Sequence, residues 1–131
     1  MRIGYFLSTE EYTPAELVAQ ARTAEEAGFQ GLWISDHFHP WNNEQGNSPH
    51  VWSLIGAISQ VCDLPVTTAV TCPTVRVHPA IIAQAAGTCA EMLEGRFTLA
   101  SGRGRRSTRA SSAGRGPPST SVSRCSRRPS T

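Results

Sequence analysis

The 131-residue chain lacks any apolar run approaching the roughly 18 to 20 residues of a membrane helix, so a spanning helix is not expected. Its opening residues, Met-Arg-Ile-Gly-Tyr-Phe-Leu-Ser-Thr-Glu-Glu, turn acidic too early for a secretory signal, and a cytoplasmic location follows as the expectation. Cysteine is sparse. Cys62, Cys72, Cys89 and Cys125 match neither a zinc-site spacing nor a Cys-x-x-Cys redox pair, and read as free thiols packed as small hydrophobes. Lysine is absent altogether, which suits a GC-rich gene. No acidic residue follows residue 99 and no aromatic residue follows Phe97.

These absences divide the chain in two. Residues 1–99 carry four arginines against ten acids, a net charge of −6, while residues 100–131 carry eight arginines and no acid, a net charge of +8. The overall value of +2 therefore describes neither part, and each needs its own reading.

Residues 1–99 alternate strand and helix. Arg2 to Leu7 reads as a short strand. Thr13-Pro14-Ala15-Glu16 predicts a helix start: Thr13 can cap, Pro14 suits the first helical position, and Glu16 completes a capping box. Leu17, Ala21, Ala24 and Ala27/Gly28 line one face at helical spacing, and Gly28 suits the C-terminal cap. Gly31 to Ser35 is continuously apolar through Leu-Trp-Ile, as for a parallel strand buried on both faces. A polar loop from Asp36 to Asn47 precedes a helix opened by Ser48-Pro49, with Val51, Leu54, Ile55, Ile58 and Val61 in helical register. Leu64 to Val70 is a third strand and Thr71 to Val77 its loop. His78-Pro79 opens a third helix, with Ile81, Ile82, Ala85, Cys89, Met92 and Leu93 assigned to one face; Glu94-Gly95 ends it, and Arg96 to Leu99 begins a fourth strand. Such alternation implies a parallel sheet with right-handed crossovers. A doubly wound sheet and a (β/α) barrel both fit. The first strand-to-helix turn has no Gly-x-Gly-x-x-Gly, so a Rossmann dinucleotide site is unsupported.

In either fold, ligands meet the carboxyl ends of the strands. Three loops qualify: Ser8-Thr9-Glu10, Asp36-His37-Phe38-His39-Pro40-Trp41, and Ala69-Val70-Thr71-Cys72-Pro73-Thr74. The second sets a carboxylate, two imidazoles and an indole within six residues of a strand end. Imidazole can take or give a proton near neutral pH, an adjacent Asp can hold a cofactor hydroxyl or orient a ring, and Trp offers a flat face. The plainer alternative is a surface loop whose Trp covers the rim. A metal held by Asp36, His37 and His39 is a third reading, but no further ligands with metal spacing are evident.

At this loop the sequence resembles a known family. Ser35-Asp36-His37-Phe38-His39-Pro40-Trp41 is similar to the second-strand signature of deazaflavin-dependent dehydrogenases of the luciferase-like superfamily, nearest the F420-dependent glucose-6-phosphate dehydrogenase branch. Thr74-Val75-Arg76-Val77-His78-Pro79-Ala80-Ile81-Ile82-Ala83-Gln84 and Glu94-Gly95-Arg96-Phe97-Thr98-Leu99 support the match. The resemblance implies an α/β fold, a partial TIM (β/α)8 barrel holding about the first three and a half β/α units, with coenzyme F420 at its carboxyl-terminal mouth. It implies cofactor-site positions at Glu10 and Asp36, a proton-handling residue at His37, and an aromatic near the reacting centre at Trp41. It implies a non-proline cis peptide at Ala69-Val70 behind the deazaflavin ring, and sets Cys72 where many relatives have a hydroxyl. Hydride transfer between a small-molecule substrate and the coenzyme is the implied activity, with no metal and a homodimer as the family's usual assembly. Relatives that use FMN as monooxygenases supply an alternative.

After Leu99 the family expects Gly-Val-Gly-Ser-Gly-Glu-Ala-Leu-Asn-Glu, but the chain reads Ala100-Ser101-Gly102-Arg103-Gly104-Arg105-Arg106-Ser107-Thr108-Arg109. The acidic proton donor is replaced by Arg105, which cannot give up a proton at neutral pH. A one-nucleotide frame change near residue 100 would account for this, because codons for the expected ten residues, read one base late, can yield those observed. Ser121 to Pro129 can likewise be re-read as Val-Arg-Leu-Glu-Met-Leu-Glu-Glu-Ala, an amphipathic helix. Coding DNA whose alternative frame encodes no further barrel would refute this. On this reading residues 1–99 are the amino-terminal part of a barrel, and residues 100–131 are a basic, out-of-frame, disordered tail. A TIM barrel needs eight strands and about 250 residues, so such a chain is expected to be inactive and unstable as a monomer. The competing class is a non-enzymatic fragment whose basic tail binds nucleic acid by charge alone; without aromatics it cannot stack on bases, and no specific nucleic-acid partner is expected.

Overall fold

The computed structural model describes residues 1–73 and 76–102. Within them seven elements alternate: β1 (Tyr5–Leu7), α1 (Pro14–Glu26), β2 (Leu32–Ile34), α2 (Val51–Ile58), β3 (Val66–Thr68), α3 (Pro79–Met92) and β4 (Phe97–Thr98). The strands form one parallel sheet in the order β1-β2-β3-β4. That order decides between the two architectures. A doubly wound sheet reverses direction at a switch point and carries helices on both faces. Here every right-handed crossover steps the same way, which keeps the helices on one face, where α2 packs against both α1 and α3. The result is a partial TIM barrel of three and a half β/α units.

Local chemistry explains the helix ends. The Thr13 hydroxyl accepts from the Glu16 backbone N–H while the Glu16 carboxylate accepts from the Thr13 N–H at 2.8 Å, closing the capping box. At the other end, Phe29 N–H donates to the Ala24 carbonyl and Gly28 N–H to that of Glu25, with Gly28 at φ 85°. This is a Schellman closure, which needs the left-handed region that glycine enters freely. α3 closes in the same way through Gly95 N–H to Ala90 O, but there Glu94 also takes a positive φ of 51°.

α2 departs from the sequence expectation. It begins at Val51, and not at Ser48-Pro49, with His50 at the cap making no side-chain bond to the helix backbone. The Ser48 hydroxyl is used elsewhere, donating to the His37 carbonyl across the preceding loop. The apolar face of α3 is also narrower than expected. Ile82, Cys89 and Leu93 are buried, whereas Ile81 is 53% and Met92 39% exposed. Ile81 and Ile82 are neighbours about 100° apart on a helix, so one stripe cannot hide both.

The core lies between sheet and helices: Leu7, Leu32, Ile34 and Val66 from the strands meet Leu17, Ile55 and Ile58. Burying each such side chain contributes about 1.5–3 kcal/mol. The register sets Tyr5, Leu32, Val66 and Phe97 in one row, and Phe6, Trp33, Thr67 and Thr98 in the next. The first row faces the helices. The second faces away, leaving Phe6 49% and Trp33 57% exposed. β2 is thus covered on one face only, a correction to the two-sided burial inferred from its apolar run.

Cys62, Cys72 and Cys89 are all buried free thiols. Burial pushes the thiol pKa of each upward, so they stay neutral and pack as hydrophobes. Cys125 and the rest of residues 103–131 lie outside the described residues, as do the expectations made for that segment. No described helix is long and apolar enough to cross a membrane.

Candidate active site at the strand ends

The backbone continues past each strand into a loop, and hydrogen bonds stitch the four loop starts together. Beyond β1 and β2, Thr9 N–H donates to Ser35 Oγ at 2.9 Å, and the Thr9 hydroxyl donates to the Ser35 carbonyl at 3.2 Å. Between β2 and β3, Ala69 N–H donates to the Ile34 carbonyl at 2.7 Å. Between β3 and β4, Thr71 N–H donates to Ala100 O at 2.9 Å and Gly102 N–H to Thr71 O at 3.0 Å. The strand ends therefore form a fixed rim on which side chains are set.

Glu10 is a buried carboxylate of this rim, only 3% exposed. Its Oε2 accepts from Ser35 Oγ at 2.9 Å and from Ser8 Oγ at 3.2 Å, and its Oε1 pairs with His37 Nδ1. Burial alone would raise the carboxyl pKa. The bonds from His37, from its own backbone and from Ser35 outweigh that effect and bring it down to about 2. Glu10 is consequently an anion at neutral pH. His37 Nδ1 is also approached by the indole Nε1–H of Trp41, at 2.7 Å, with the two rings edge to face at 4.9 Å. These contacts ask opposite things of one nitrogen: a proton to give to Glu10, or a lone pair to receive from Trp41. With the proton on Nδ1 the ring faces Glu10 as a donor and the Nε2 lone pair is a base; with the proton on Nε2, Nδ1 accepts from Trp41.

Asp36 lies beside this group and is 93% buried, at 7% exposure. Arg76 reaches it from the loop after β3. Its Nη2 donates to Asp36 Oδ1 at 2.6 Å and to the Asp36 carbonyl at 3.3 Å, and its guanidinium sits 5.9 Å from the Phe38 ring centroid. Among the described residues, the buried Glu10 Oε1, Thr71 hydroxyl and Arg76 Nε have no hydrogen-bond partner, Glu10 Oε1 having only its ion-pair contact with His37.

The Ala69–Val70 peptide is cis, as the resemblance implies. Val70 is 41% exposed beside it, and Gly102 comes so close that an added Cβ would lie 2.7 Å from Val70 Cγ2. Cys72 is 8% exposed; burial raises its thiol pKa, Arg76 lowers it and Asp36 raises it again. Among the described residues no group of three or more His, Cys, Asp or Glu is placed to hold a metal ion.

The structure thus brings Glu10, His37 and Trp41 into direct contact, sets Asp36 next to them in the chain, and places Ala69, Val70 and Cys72 at the end of the adjoining strand. Sequence reasoning did not single out Ser35, Thr71 or Arg76. Ser35 and Thr71 are indistinguishable in sequence from other strand-end hydroxyls. Arg76 carried one signal: it is one of only four arginines in residues 1–99.

A family model described as luciferase-like monooxygenase matches residues 1–125. The F420-dependent glucose-6-phosphate dehydrogenase of Nakamurella multipartita is 40% identical over 105 residues, covering 79% of this chain and 31% of that protein. The F420-dependent hydroxymycolic acid dehydrogenase of Mycobacterium tuberculosis is 39% identical over 105 residues, covering 79% of this chain and 29% of that protein. Among solved structures, an F420-dependent secondary alcohol dehydrogenase in complex with an F420–acetone adduct aligns at a TM-score of 0.73 and 40% identity, over 76% of this chain and 31% of that one. The chain spans under a third of the length of these relatives.

Proposed function

The chain belongs to the luciferase-like family, and on that footing we propose that it carries the cofactor-facing side of an F420-dependent oxidoreductase site acting on a small molecule. The observation that supports this most directly is the Glu10–His37–Trp41 cluster beside Asp36 at the carboxyl ends of β1 and β2. The donor set suits a deazaflavin. Asp36 Oδ2 can accept from an uncharged N–H or O–H, the Thr71 hydroxyl is a buried group awaiting a partner, and Val70 offers an apolar surface to a flat ring.

Bound F420 supplies a ring carbon that accepts or returns a hydride. Glu10 fixes the imidazole tautomer by accepting from Nδ1, and its negative charge offsets the imidazolium that forms when His37 Nε2 takes a hydroxyl proton. Trp41 flanks the imidazole and orients it. Asp36, with Ala69 and Val70, holds the cofactor, and Cys72 fills the adjoining wall as a neutral thiol. A cytoplasmic location and homodimeric assembly complete the reading. The acidic donor expected after β4 is Arg105 in this sequence, so the proposal is confined to cofactor binding and proton handling by the residues named.

Titrating the purified 131-residue chain with oxidised F420, FMN and double-stranded DNA in parallel tests this. Saturable quenching of F420 fluorescence that is weakened in Asp36→Ala is expected. FMN binding without F420 binding would move the function to a flavin monooxygenase, and binding of DNA alone would leave a basic-tail role in its place.

A further inference from the structure

Resting on that reading, we propose that Arg76 is a positioning residue. It clamps Asp36 through carboxylate and carbonyl together, and so sets both the acceptor offered to the cofactor and the path of the loop that carries His37. Three features lead to this. First, the arginine is 85% hidden, with side-chain exposure of 15%, in a part of the chain where acids outnumber arginines. Second, its Nη2 touches two different atoms of Asp36, at 2.6 and 3.3 Å. Neutralising a buried charge needs only the carboxylate contact. The carbonyl contact restrains the main chain one residue before His37. Third, that main chain is also held on the far side, where the His37 carbonyl accepts from Ser48 and Trp41 N–H donates to Gln45 at 2.9 Å. Among the described residues, Arg76 ties this loop to the loop that follows β3.

The clamp also defines what Asp36 recognises. Paired with a guanidinium, Asp36 presents Oδ2 without net charge. Such a group favours an uncharged imide N–H or hydroxyl and does not select for a cation. This is the chemistry of a deazaflavin ring and its polyol, and it differs from a bare carboxylate, which would recruit any nearby positive group.

The test compares the 131-residue wild type with Arg76→Lys, Arg76→Gln, Asp36→Asn and the Arg76→Gln/Asp36→Asn double variant, which leaves no buried unpaired charge and so guards against misfolding. F420 affinity is read by fluorescence, and amide hydrogen exchange of residues 36–41 is read in the absence of cofactor, with α1 amides as the internal reference. Arg76→Gln should weaken F420 binding tenfold or more. Arg76→Lys should recover only part of that, because charge returns without the second contact. The double variant should be no weaker than the poorer single variant. Amides 36–41 should exchange at least threefold faster in Arg76→Gln while α1 is unchanged. Full rescue by lysine, additive losses in the double variant, or unchanged exchange at 36–41 would overturn the proposal. Should the wild type itself fail to bind F420, the functional reading falls, and the exchange result alone then decides the clamp.

Discussion

Replacing Glu10 by glutamine keeps the shape of the side chain and removes its charge, so the charge can be weighed by itself. In the folded chain this carboxyl titrates near pH 2 instead of its ordinary 4.5. At about 1.4 kcal/mol per pKa unit, that difference corresponds to at most about 3 kcal/mol of stability. A depressed folded-state pKa contributes stability in full above pH 4.5 and loses it as pH falls toward 2. Urea unfolding followed by circular dichroism, at half-unit steps from pH 7 to pH 2.5, measures the effect. Other carboxylates titrate in the same window, but they cancel in the difference between wild type and Glu10→Gln. That difference should be up to about 3 kcal/mol at pH 7 and shrink steadily below pH 4.5. A flat difference across the whole range, or none at pH 7, would refute the assignment of Glu10 as a buried anion held by His37 and Ser35.

Three further substitutions have worked expectations. Gly102→Ala forces a methyl group to within 2.7 Å of Val70 Cγ2, so the loop after β4 must shift; thermal unfolding should show a loss of roughly 1–3 kcal/mol, with weaker F420 quenching. Glu94→Gly relieves a left-handed backbone at φ 51° and should raise stability by up to about 1 kcal/mol in the same assay. Thr13→Ala opens the capping box of α1 and should cost about 1 kcal/mol, read as a lower urea midpoint with an unchanged slope.

How much of this was legible in the sequence depended on how local each interaction is. The α1 start was fully readable, because Thr13, Pro14 and Glu16 act within one turn. Most of the buried stripe was too: Leu17, Ala21 and Ala24 are buried, while Ala27 and Gly28, assigned to the same face, are exposed where the helix ends. The start of α2 was not, because Ser48 is recruited by a carbonyl eleven residues back and no local rule reveals that choice. The strands came out shorter than their apolar runs because ladder pairing, not side-chain character, bounds a strand. Residues such as Arg2 and Leu64 lie beyond the paired segments. At the site, Glu10, Asp36, His37 and Trp41 were named from a family likeness, and the contacts among them bridge separations of four to 27 residues. Arg76 was passed over because its partner lies 40 positions away, and a lone arginine in a loop looks like a solvated charge until the fold closes the gap.

The uncovered side of the sheet is not uniform. Crossing it from β1 to β4, the row runs Phe6, Trp33, Thr67, Thr98: two aromatic rings, then two hydroxyls. Whatever layer seals this floor must therefore be two-toned, oily above the first pair and able to hydrogen-bond above the second. Trp33 stands at the boundary between the two halves, and its fluorescence would turn blue the moment that oily half is roofed.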